Sequence, residues 1–158
     1  MIPGGAALTL REMDDRTEII DALYRFALGQ DRQDRELFAS AFAADAELDF
    51  RPAAESWGAK PPLMSGRETI VSTILGSFAG RVVTTHQVTN PRVTIDGDHA
   101  HVTALVEAQH LLSADRATHA LLKNHYDVTL TREPERWAIE RMRIDNAWYV
   151  GDPQAIFT

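Results

Sequence analysis

The sequence predicts an α+β fold, a cone-shaped α+β barrel in which a curved antiparallel sheet wraps around three N-terminal helices and leaves a central pocket. Three observations carry this. Apolar residues recur at helical spacing through most of the first half and in two-residue alternation from Val82 onward. Asp96-Gly97-Asp98 marks a tight hairpin between two long strands. Beyond that hairpin only the short polar stretches 113–118 and 132–136 interrupt the alternation, the pattern of a meander with helices on one face.

The bulk properties bound the function. A chain of 158 residues suits one domain, here 1–158, and buries a core without staples. Its 44% hydrophobic and 25% charged residues are those of a folded protein. The net charge is −7 and the basic residues are dispersed, so no nucleic-acid partner is expected. There is no cysteine, which excludes disulfides, thiolate metal sites and thiol nucleophiles. No apolar run reaches the roughly 18 residues of a membrane span. Residues 1–10 lack the charged start and apolar core of a signal peptide. A cytoplasmic protein with no membrane partner is expected, with 1–12 a flexible lead-in.

Asp14 or Asp15 can cap a first helix to about Gln30, with Ile19, Ile20, Leu23, Ala27 and Leu28 as its apolar stripe. Gly29 loosens its last turn. Asp31 then stands where the negative end of the helix dipole makes a carboxylate unwelcome. Asp34 can cap a second, short helix to about Phe42, and residues 46–50 alternate as a strand. Residues 51–64 hold three prolines and read as a long loop over a site, with Trp57 either a lid or a pin to the core. Ser65-Gly66-Arg67-Glu68 has the pattern of a capping box opening a third helix, which Gly80 ends. Strands are expected over 82–95, 99–112, 120–131 and 137–150.

His86 is the centre of the functional reading. It lies near the start of the first long strand, and a neutral imidazole titrates close to working pH, which suits a general base. If the fold brings Asp31 to it, the carboxylate accepts the other ring N–H and steadies the imidazolium that forms. Strand parity puts His110 on one face with Val102, Ala104, Val106 and Ala108, the pocket side, where it can protonate a leaving hydroxide or hold a substrate oxygen. Asn124, Tyr126 and Val128 share a face in the same way. Tyr126 can polarise a carbonyl or simply pack. Tyr24 is a further pocket candidate. Met142 and Ile144 are expected inside, and Arg141 and Arg143 outside. Phosphate loops, a nucleophile elbow and a dinucleotide fingerprint are absent.

The residues Tyr24 with Asp31, Phe42-Ala43-Ala44-Asp45-Ala46, Thr85-His86-Gln87-Val88-Thr89-Asn90, Val106-Glu107-Ala108-Gln109-His110, Tyr126-Asp127-Val128-Thr129-Leu130 and Trp137-Ala138-Ile139 carry a resemblance. The chain resembles the SnoaL-like branch of the nuclear-transport-factor-2-like superfamily, most closely its dehydratase and dehydrochlorinase members. The resemblance implies a His–Asp dyad at His86 and Asp31, a second pocket histidine at His110, and further substrate-binding residues at Asn124 and Tyr126. Gln30 and Phe50 stand where the dehydratase members carry two water-binding tyrosines, and Met142 or Arg143 near where the dehydrochlorinase members carry an arginine. Phe50, Trp57 and Met142 complete the expected pocket.

The residues and the resemblance together lead to the expectation of a lyase of dehydratase type with no cofactor and no metal, acting on a small, mostly apolar cyclic substrate. A polyketide-type cyclase or isomerase using the same dyad is one alternative, and a non-catalytic ligand-binding domain another. Val93, Leu105, Leu111 and Leu121 leave apolar patches on the outer sheet face, so a homo-oligomer, dimer or trimer, is expected.

Overall fold

A computed structural model describes residues 7–158; the rest of the expected lead-in lies outside the described residues. Helix α1 (Leu10–Asp31) opens on a capping box, in which Thr9 and Glu12 bond each other's backbone N–H, rather than on Asp14 or Asp15. Asp15 is freed for another use. It accepts two hydrogen bonds from Arg132, at 2.7 and 2.8 Å, and one from the indole of Trp137 at 3.1 Å, latching α1 to the far end of the sheet.

One face of α1 buries Ile19, Ala22, Leu23, Phe26 and Ala27. Helix α2 (Arg35–Ala39), capped by Asp34 as expected, crosses it at Gly29. A Cβ built at Gly29 would sit 2.5 Å from the Phe38 Cα. Helix propensity alone would make Gly29→Ala stabilising by about 1 kcal/mol. The contact reverses the sign. Forcing α2 away is expected to cost about 1–3 kcal/mol net, read as a lowered urea midpoint at unchanged slope. Phe26, Phe38, Phe42 and Tyr126 then interlock at centroid separations of 5.3–5.9 Å, joining the helices to the sheet.

Strand β1 (Phe42–Asp49) is longer than expected. The segment after it is not a plain loop: it holds α3 (Arg51–Glu55) and β2 (Met64–Ser65), which pairs with β1. Helix α4 (Arg67–Phe78) follows Gly66, whose φ of 91° is open to glycine, and it has no side-chain cap in place of the expected capping box. Then come β3 (Val82–Asp96), β4 (His99–Leu112), β5 (His119–Arg132) and β6 (Trp137–Gly151), within a residue or so of the alternation read from sequence. A short α5 (Pro153–Ile156), unforeseen, closes the chain.

The six-stranded sheet runs β2-β1-β6-β5-β4-β3, with β3 to β6 an antiparallel meander and β1 parallel to β6. Its register slips between Thr89 and Arg92, where Asn90 has φ 52°, and at two places along the β5–β6 pair. Such bulges bend and twist a sheet, and here they curl it around α1. They also flip side-chain parity. Val93, expected on the outer face, is partly buried and packs against the core for that reason. The outer face keeps Trp148, Val150 and Val83 exposed. No described helix is long and apolar enough to cross a membrane.

Candidate active site

The cone encloses a cavity of about 480 Å³ between the inner sheet face, α1, α4 and the segments that carry Trp57 and Phe157. Sheet register sets its polar groups. Thr84 and His86 on β3 pair with His110 and Ala108 on β4, and the next rows bring Asn124 and Tyr126 inward on β5. His86 lines the cavity together with His110, Asn124 and Tyr126, the three that the alternation read from sequence puts on the pocket side.

Asp31, the last residue of α1, meets β3 from behind His86. Its Oδ1 lies 2.6 Å from His86 Nδ1 and accepts from the Thr84 hydroxyl at 2.9 Å, while Oδ2 accepts the His86 backbone N–H at 2.8 Å. A carboxylate only accepts, so in the neutral imidazole the proton is on Nδ1 and the lone pair is on Nε2, toward the cavity. Both side chains are largely buried. The acid that looked misplaced at a helix terminus has three donors waiting for it.

His110 lies beside this pair, with ring centroids 5.7 Å apart. Its Nδ1 is 3.2 Å from the Ala120 carbonyl and so donates to it. Burial, aided by the neighbouring His86, pushes its pKa down to about 3. The ring is neutral and its Nε2 is an acceptor. Of the two expected roles, this arrangement suits a hold on a substrate oxygen better than protonation of a leaving group.

Two donors oppose these acceptors. Burial pushes the Tyr126 phenol up, so it keeps its proton. Asn124 Oδ1 accepts from Asn146 Nδ2 at 3.0 Å, leaving the Asn124 N–H groups to the cavity. The walls are aromatic. Phe157 stacks on Trp57 at 5.5 Å and 17° and reaches to 5.1 Å from the His110 ring centroid. Phe50 packs on both Trp57 and Phe157. Trp57 thus lines the cavity and pins its segment at once. Arg81 holds Phe157 in place through the carbonyls of Ala155 and Ile156.

Two expected pocket residues lie elsewhere. Tyr24 is 48% exposed on the outer side of α1, because the inward positions of that turn are Leu23 and Phe26. Met142 is fully buried in the core beneath the cavity, and Ile144, one pleat further on, takes its place at the wall. Arg143 is exposed. Conversely, Phe26, Phe78 and Phe157 line the cavity without having been singled out for it, and Gln30 lines it at a position that the resemblance pairs with Phe50. Gln30 and Phe26 stand four apart on α1, which was the available signal. Nothing local marked Phe157. Among the described residues, no three His, Asp or Glu side chains are grouped as metal ligands would be.

Residues 11–143 match the family described as SnoaL-like domain. The chain belongs to that family. The SnoaL-like fold is shared with the Kfla4162 protein of Kribbella flavida, 24% identical, with a TM-score of 0.78 over 91% of this chain and 97% of that one. A protein of Novosphingobium aromaticivorans, provisionally named a scytalone dehydratase, is 19% identical, with a TM-score of 0.73 over 89% of each chain. The type-3 hexachlorocyclohexane dehydrochlorinase of Novosphingobium barchaimii is 18% identical, with a TM-score of 0.74 over 92% of this chain and 94% of that one. At these identities the SnoaL-like likeness is one of fold.

Proposed function

We propose that this SnoaL-like chain is a lyase that eliminates water or a comparable leaving group from a small, mostly apolar ring compound. The observation that carries the reading is the free Nε2 of His86, backed by Asp31 at 2.6 Å and facing an aromatic cavity. His86 Nε2 takes a proton from carbon, the C–H electron pair becomes the new double bond, and the leaving group departs. Where that group is hydroxide, the imidazolium returns the proton to it, so water leaves and the base is restored. Asp31 stabilises the imidazolium in between. No cofactor is needed, since both proton transfers run through one ring.

Tyr126 and Asn124 suit a carbonyl oxygen on which charge develops as the proton leaves. His110 Nε2 suits a hydroxyl of the substrate. Phe50, Trp57 and Phe157, packed on one another, offer one aromatic wall for the ring to lie against. Two structural neighbours bear names that denote loss of water and of hydrogen chloride, in keeping with this chemistry.

A panel of cyclic hydroxy ketones and halogenated rings, followed by mass spectrometry, tests the proposal. The expected product from at least one of them has lost water or hydrogen halide. A product of unchanged formula would make the chain an isomerase or cyclase on the same base. Saturable binding with no product at all would leave a ligand-binding domain.

A further inference from the structure

The carboxylate of Asp31 is held at both ends. Its Oδ1 takes two donors, His86 Nδ1–H at 2.6 Å and Thr84 Oγ1–H at 2.9 Å, and its Oδ2 takes the His86 backbone N–H at 2.8 Å. Thr84 and His86 stand two apart on β3, so the pleat points both side chains at the same carboxylate. Thr84 is buried, and its hydroxyl hydrogen goes to Asp31.

The carboxylate needs such a hold. The torsion that swings an aspartate's two oxygens is soft and roughly two-fold. Asp31 is also the terminal residue of a helix, where the backbone dipole repels it. A single bond to a ring that itself rotates would leave the pair free to turn together. The strand backbone fixes one oxygen and the Thr84 hydroxyl fixes the other. The ring then has one orientation in which Nδ1–H is satisfied, and in it Nε2 faces the cavity.

We propose that Thr84 is a positioning residue for the His86 base, locking the Asp31 carboxylate so that the imidazole keeps one tautomer and one orientation. The consequence for catalysis rests on the reading of His86 as the base. The consequence for the ring does not. Thr84 touches no reacting atom; it acts through Asp31. A buried valine would fill the same space without the hydroxyl, so packing alone gives no reason for a threonine here.

The test separates the two. In the full chain, ¹⁵N-edited NMR at constant pH reads the His86 tautomer and its hydrogen-bonded Nδ1–H proton, and needs no substrate. Thr84→Val is expected to weaken or broaden that low-field signal and to mix the tautomers, with the sheet amide spectrum intact. Thr84→Ser is expected to restore both. On a turned-over substrate, Thr84→Val should lower kcat roughly 10- to 100-fold with KM nearly unchanged, the scale of a misplaced catalytic group, and Thr84→Ser should recover most of it. An unchanged Nδ1–H resonance and tautomer in Thr84→Val overturns the proposal. A changed resonance with unchanged kcat upholds the hold on the ring and counts instead against His86 as the base.

Discussion

Replacing His86 with Asn is expected to lower kcat by about 10²- to 10⁴-fold, the span that one general base supplies. Asn keeps a donor near Asp31 and roughly fills the site, so the fold should survive and the circular-dichroism spectrum should match the parent. Asp31→Asn removes the acceptor instead. Three donors then face an amide that can accept on one oxygen only, and the imidazole loses what fixes its tautomer. Its loss of kcat should approach that of the His86 variant. The double variant should be little worse than either, because residues that act as a unit are strongly non-additive. Wild-type turnover in His86→Asn would end the elimination reading, whatever the cavity binds.

How much of this was legible in the sequence depends on the distance over which each signal acts. The two-residue period of β4 and β5 put His110, Asn124 and Tyr126 on the cavity because strand parity is a local property that pairing preserves. Parity failed where a bulge intervened, and Val93 changed faces beyond the slip at Thr89. Along α1 the same logic needed the right phase. Asp14 or Asp15 as a cap misplaced the helix start, whereas Thr9 and Glu12 form the capping box and leave Asp15 as a buried ion-pair partner. Tyr24 was drawn inward by resemblance against a stripe that already favoured Leu23. Phe157 was illegible for another reason. It enters the cavity by a tertiary contact between α5 and the Trp57 segment, which no periodicity encodes. Thr84 lay in view two residues before His86, yet its meaning required knowing that Asp31 arrives on that side.

Asp15→Ala should be among the most destabilising single changes in the chain, at about 2–4 kcal/mol, because it strands two donors at once. Trp137 is fully buried, and its indole N–H would lose its acceptor. Arg132 would keep only Asp98, at 3.0 Å and mostly exposed. The acid limb of stability gives a sharper check. The two bonds from Arg132 are the main force holding the Asp15 carboxyl at about 2, below its ordinary 3.8, against the opposing effect of burial. A lowered folded-state pKa means the native protein binds the proton less readily than the unfolded chain does. Its stabilisation is complete above pH 3.8 and is lost as the pH falls from there towards 2. The difference corresponds to roughly 1–2 kcal/mol once solvent screening at the partly open Arg132 is discounted. Urea unfolding of Asp15→Asn, which keeps an acceptor for the indole but no charge, should show a shallower decline across that window than the parent. Parallel declines would sink the ion-pair account. In either variant kcat should change little at temperatures where the protein is folded, because Asp31 is held by β3 and not by the latch at the other end of its helix.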